Sequence, residues 1–108
     1  MENEKMYLVE VYTENQVGLL VAVSGIFTRR SLNIDRLETA PSPLEGIHVF
    51  YITTVTTLSM IRKVVQFLEK KVDVVKAFYK EYEGEQLLTQ PQFNQTQLAM
   101  VAELLNIE

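Results

Sequence analysis

The sequence predicts an α+β fold: a four-stranded antiparallel sheet with two helices on one face. Two kinds of periodicity, strand-like alternation and helical stripes, follow one another in the order β-α-β-β-α-β across residues 6–82. A loop of about five residues containing Gly46 joins the second and third strands, a length that favours an antiparallel neighbour. Finally, 47% hydrophobic residues with only four Gly and three Pro in 108 residues describe one ordered globular domain.

In Tyr7-Leu-Val-Glu-Val-Tyr12, Tyr7, Val9 and Val11 share one face while Leu8 and Tyr12 are apolar on the other, and Thr13-Glu-Asn-Gln16 closes this first strand. From Gly18 to Arg30 the residues Leu19, Leu20, Val23, Ile26 and Phe27 form a single helical stripe. Arg29 and Arg30 occupy its last turn, where cations oppose the negative end of the helix dipole. Asn15 or Gln16 is expected just ahead of this helix, beside its exposed amides. Asn33 to Ala40 reads as the second strand, stopped by Pro41-Ser-Pro43, and Ile47 to Val55 as the third, rich in β-branched and aromatic residues. Thr57 is the expected N-cap of a second helix with the stripe Ile61, Val64, Val65 and Leu68, ending in Lys70-Lys71. Val72 to Glu81 supplies the last strand, with Val72, Val74 and Phe78 alternating imperfectly against Asp73, Lys76 and Lys80.

This order packs most simply as the ferredoxin-like arrangement, with two right-handed crossovers. Leu8, Tyr12, Phe50 and Ile52 suggest that apolar side chains point both ways from several strands, so the sheet face away from the helices needs a cover. Residues 84–108 are the candidate. This extension holds Glu85, Glu103 and Glu108 with no Lys or Arg, whereas residues 1–83 carry all ten bases. A helix is expected at about 94–106, with Asn94 as N-cap, Gln97 completing a capping box, Phe93 stapled onto Leu98, and the stripe Leu98, Val101, Ala102 and Leu105.

Composition narrows function. With no Cys, disulfides, thiolate catalysis and zinc clusters are excluded, and a single His leaves no second imidazole for a metal site. No catalytic residue and no metal ligand is expected: His48 lies in an apolar strand without a Ser-His-carboxylate spacing, which favours a structural role. The net charge of −4 points away from nucleic acid. No apolar run approaches the ~18 residues of a membrane span, and the acidic N-terminus lacks a signal's basic flank. A soluble, cytoplasmic protein is expected. The segment Glu14-Asn-Gln-Val-Gly18 joins a strand end to a helix start, where free amides, an Asn side chain and a Gly converge, a setting suited to a carboxylate or phosphate.

Glu14-Asn15-Gln16-Val17-Gly18-Leu19-Leu20, followed by Gly25-Ile-Phe-Thr-Arg-Arg30, Asn33-Ile34-Asp35-Arg36-Leu37 and Val72-Asp73-Val74-Val75-Lys76, resembles the ACT domain of the regulatory small subunit of acetolactate synthase (acetohydroxyacid synthase). The resemblance implies a non-catalytic regulatory subunit, active as a homodimer, that binds a branched-chain amino acid such as valine where two ACT domains meet and modulates a catalytic large subunit of valine, leucine and isoleucine biosynthesis. Carried over by residue, Asn15, Gln16, Val17, Gly18, Leu19 and Leu20 would hold the effector from one subunit, and Asn33 and Ile34 from the other. No cofactor is expected in this chain; thiamine diphosphate, FAD and magnesium would belong to the large subunit. The family pattern is altered at three places: Val17 stands where Pro is frequent, Ser31 where a Gly follows the first helix, so that an easy left-handed cap is lost, and His48-Val49 where Ser-Arg is common. Residues 84–108 are too few for the second domain many small subunits carry, so a short form is expected. The alternatives are a free-standing ACT-domain amino-acid sensor and a structural subunit that has lost effector binding.

Overall fold

The computed structural model describes residues 2–14, 18–82 and 94–105. Its elements are β1 (Lys5–Glu14), α1 (Leu19–Arg29), β2 (Arg36–Pro41), β3 (Ile47–Thr56), α2 (Leu58–Glu69), β4 (Val74–Glu81) and α3 (Gln95–Leu104). The four strands form one antiparallel sheet in the order β2-β3-β1-β4, so α1 carries the chain past β3 and α2 carries it past β1. This is the expected ferredoxin-like βαββαβ fold. The five residues of the β2–β3 loop, Ser42 to Gly46, include Gly46 at φ +80°, a left-handed turn position.

Two apolar layers hold the sheet. On one side Val9, Val11, Phe50 and Ile52 pack against Val23, Ile26 and Phe27 of α1 and Ile61, Val64 and Leu68 of α2. On the other, Leu8, Tyr12, Ile47, Val49 and Tyr51 pack with Tyr82 and with Leu98 and Val101 of α3. The C-terminal helix therefore covers the sheet face that α1 and α2 leave open. Phe50 and Ile52 belong to the first layer: the register sets Val11 opposite Phe50 and Val9 opposite Ile52, and strand alternation sends all four the same way. The second face is built from the odd-numbered residues of β3 instead.

Two helix starts match their sequence signals. Thr57 Oγ1 accepts the N–H of Met60 at 3.2 Å, and Asn94 Oδ1 accepts the N–H of Gln97 at 3.1 Å. The Phe93 staple falls outside the described residues. At α1 the N-cap is Gly18, at φ 86°. The helix ends as follows: Ser31 adopts φ 56°, its N–H donates to Thr28 C=O at 3.0 Å, and the N–H of Leu32 donates to Phe27 C=O at 2.9 Å. The left-handed cap is thus kept, with serine accepting the strain that glycine would avoid.

Strand boundaries differ at two places. Asn33 and Ile34 precede β2, because there Thr54 Oγ1 donates to Asn33 C=O at 2.7 Å and a side-chain bond replaces the ladder. Val72 is 96% exposed in a turn closed by Val74 N–H on Lys71 C=O, so β4 starts at Val74. A register shift opposite Tyr12/Thr13 then places Val74 in the helix-side layer and Val75 in the other. The imperfect alternation read in this strand comes from that bulge, and Phe78 shares the second layer's side with Lys76 and Lys80.

Candidate functional site

Of the segment Glu14 to Leu20, Asn15, Gln16 and Val17 lie outside the described residues. Its two ends are well defined. Glu14 N–H donates to Asp73 C=O at 3.0 Å, which ties the end of β1 to the turn before β4. Among the described residues no atom lies within 4 Å of where a Cβ on Gly18 would stand, so it is the left-handed backbone that calls for glycine. Ala22 N–H is the first to return to the helix, donating to Gly18 C=O, and Gly18 offers no side chain to cap the amides before it. Those amides carry the positive end of the helix dipole, and the first turn holds no acidic side chain to neutralise it. Leu19 is buried in the helix-side core, leaving its amide as the only part free to meet a ligand, while Leu20 is 48% exposed.

The second half of the predicted site lies at the opposite end of α1. Thr28, Ser31, Leu32, Asn33 and Ile34 line a shallow depression there; Asn33 is exposed and Ile34 is half-buried against the core. The two halves lie at opposite ends of α1, whose eleven residues span about 16 Å at 1.5 Å per residue. A single chain therefore does not bring Gly18 to Leu20 together with Asn33 and Ile34.

The sheet edges are unlike. At β4, Glu69 Oε2 of α2 accepts Ala77 N–H at 3.1 Å and Lys76 Nζ at 2.9 Å, so a side chain already occupies that edge. At β2, Ser42 N–H bonds Ile47 C=O, and ladder alternation then turns Glu38 and Ala40 toward β3 and the backbone groups of Leu37 and Thr39 outward. No element among the described residues covers that outward edge.

His48 stands in β3 between Thr13 of β1 and Pro41 of β2. Its Nδ1 is buried, and no described residue hydrogen-bonds to it. Among the described residues no group of three or more His, Asp or Glu side chains could hold a metal ion, and no helix is long and apolar enough to cross a membrane.

Two clusters went unread in the sequence. Beneath α3, Glu10 lies opposite Tyr51, and the hydroxyls of Tyr12, Tyr51 and Thr53 and Oε1 of Gln97 are buried without hydrogen-bond partners among the described residues. Burial pushes the Glu10 carboxyl above its ordinary range, against the pull of Lys80 Nζ at 3.7 Å. Burial, aided by the charge of Glu10, pushes the Tyr12 hydroxyl up to about 12, and Tyr51 moves the same way. An acid flanked by valines, Val9-Glu10-Val11, was the available signal. The other cluster is basic: Arg29 and Arg30 meet Lys70 and Lys71 around Phe67, joining two cation pairs that the sequence shows only separately.

A family model described as "AHAS small subunit-like ACT domain" matches residues 9–76. A probable acetolactate synthase small subunit of Methanothermobacter thermautotrophicus is 29% identical over 70 residues, 65% of this chain and 42% of that protein. The chain thus spans less than half the length of this curated relative. Among solved structures, the acetolactate synthase small subunit of Thermotoga maritima superposes with a TM-score of 0.67 at 25% identity, over 75% of this chain and 50% of that one. The ACT domain of GTP pyrophosphokinase from Chlorobium tepidum, at 12% identity, shares the fold with a TM-score of 0.62 over 84% of this chain and 98% of its own.

Proposed function

The chain belongs to the family of AHAS small subunit-like ACT domains, and from that premise we propose that it is a non-catalytic regulatory chain of acetolactate synthase that binds valine between two copies of itself and modulates the catalytic large subunit. The observation that carries this reading is the span of about 16 Å between the two halves of the site. A second copy, joined along the outward edge of β2, supplies Asn33 and Ile34 to the first copy's Gly18 to Leu20. Each half then has its own chemistry. The uncapped amides at the start of α1 suit the carboxylate, the Asn15 carbonyl oxygen suits the ammonium, and Leu20 and Ile34 of the two copies enclose the isopropyl group. Thiamine diphosphate, FAD and magnesium are assigned to the large subunit. The setting is the cytoplasm.

Calorimetric titration of the purified chain with valine, leucine and isoleucine tests the proposal. A saturable heat with valine is expected, and Asn15→Ala should abolish it. If none of the three amino acids gives a heat while the chain still co-purifies with the large subunit, the protein is a structural subunit that has lost its effector. If valine binds but no large subunit is recovered, it is a free-standing sensor.

A further inference from the structure

Arg29, Arg30, Lys70 and Lys71, four of the chain's ten basic residues, converge on one shallow depression between the C-terminal ends of α1 and α2. The ordinary reason for cations at such places is the helix dipole, which offers about half a negative charge per helix end. Two helix ends thus account for roughly one of the four positive charges, and about three are in excess. Arg30 serves this local role directly, donating from Nη1 to Ile26 C=O at 2.9 Å. The remaining charge has no acidic counterpart: Lys5, Arg36, Lys76 and Lys80 each pair with a carboxylate, but among the described residues none pairs with these four.

The cluster is also ordered in advance. The Arg30 guanidinium lies 3.7 Å from the centroid of Phe67, and Lys70 Nζ lies 5.3 Å from the same centroid. Phe67 therefore holds two of the cations in place, which lowers the entropy lost when an anion arrives.

Three features decide what kind of anion fits. Helix C-termini present carbonyls, so no cradle of amides exists for a compact phosphate. The chain's net charge of −4 would repel a long polyanion such as nucleic acid as it left the patch. A short run of carboxylates on a protein surface matches both the excess charge and the shallow shape. We propose that this patch docks an acidic segment of the catalytic large subunit, an inference that rests on the regulatory reading above.

The test uses the full chain and the purified large subunit, with binding followed by biolayer interferometry at low and moderately high salt. Wild-type affinity should fall at least tenfold as salt rises, and Lys70→Glu/Lys71→Glu should bind roughly tenfold more weakly at low salt. Lys70→Gln/Lys71→Gln, which places no acid at a helix C-terminus, should fall between the two. Lys80→Glu, on the sheet face opposite α1 and α2, should match wild type. Valine binding should be unchanged in the double variants, since they touch neither half of the effector site. Double variants that bind the large subunit as tightly as wild type would overturn the inference and leave the regulatory reading standing. A wild-type chain that binds no large subunit would overturn both. Salt-sensitive binding of a single-stranded oligonucleotide, lost in the double variants while large-subunit binding persists, would overturn the inference in favour of nucleic acid.

Discussion

The hydroxyl of Thr54 donates to the carbonyl oxygen of Asn33 at 2.7 Å, fastening the connection between α1 and β2 to the buried strand β3. Thr54 is fully buried, and Asn33 is exposed, so this bond joins the core to a residue of the proposed effector site. Thr54→Val keeps the shape and removes the donor. It should destabilise the fold by about 1 kcal/mol in urea unfolding, because the freed carbonyl can still meet water. It should also weaken valine binding more than that loss of stability explains. A variant with wild-type affinity would show that Asn33 needs no such anchor.

Ser31 closes α1 at φ 56°, where the Cβ of a non-glycine residue crowds the following carbonyl oxygen. The hydrogen bonds of the cap, Ser31 N–H to Thr28 C=O and Leu32 N–H to Phe27 C=O, use backbone atoms alone and survive any substitution that tolerates this conformation. Ser31→Gly should therefore stabilise the chain by about 0.5–1 kcal/mol, with the relief of strain exceeding the extra freedom of the unfolded glycine. An unchanged denaturation midpoint would mean that the serine is not strained.

Thr57 and Asn94 were legible as caps because the signal is local: an oxygen-bearing side chain three residues before the amide it accepts from. The face of Phe50 and Ile52 was not, because β3 is apolar on both sides and the choice depends on its register with Val9 and Val11. Val75 depended on a bulge in pairing with β1, which leaves no mark in β4 itself. The proposed site residues from Gly18 to Ile34 could be named from the resemblance to the family, but their division between the two ends of α1 is a distance, and it emerges only once the helix between them has a length.

Glu10 makes stability depend on pH in the direction opposite to that of a salt-bridged carboxylate. Burial raises its folded pKa above the ordinary 4.5, more than Lys80 lowers it. Between the unfolded and folded values the native state binds more protons, so stability is greatest below about 4.5 and falls as pH rises through the folded value. Glu10→Gln removes this term. In urea unfolding across mildly acidic to neutral pH, the variant should lack the wild-type decline on the neutral side and be the more stable of the two at pH 7. A variant whose curve parallels wild type throughout would show that Glu10 is well solvated.

The docking of α3 sets apolar burial against unpaired polar groups. Burying Leu98 and Val101 contributes about 1.5–3 kcal/mol each. Opposing this, the hydroxyls of Tyr12, Tyr51 and Thr53 and Oε1 of Gln97 are buried without hydrogen-bond partners among the described residues, which offsets part of that gain where no water reaches them. Leu98→Ala should cost about 2–3 kcal/mol of contact and tip the balance, so that α3 leaves the sheet while the βαββαβ unit stays folded. The second face, with Leu8, Tyr12, Val49 and Tyr51, would then be wet. Two readouts follow: the variant should bind a hydrophobic fluorescent dye without denaturant, and ultraviolet titration should show Tyr12 ionising near 10 instead of about 12. A variant that stays dark to the dye and titrates as wild type would show that α3 is held by more than its two apolar anchors.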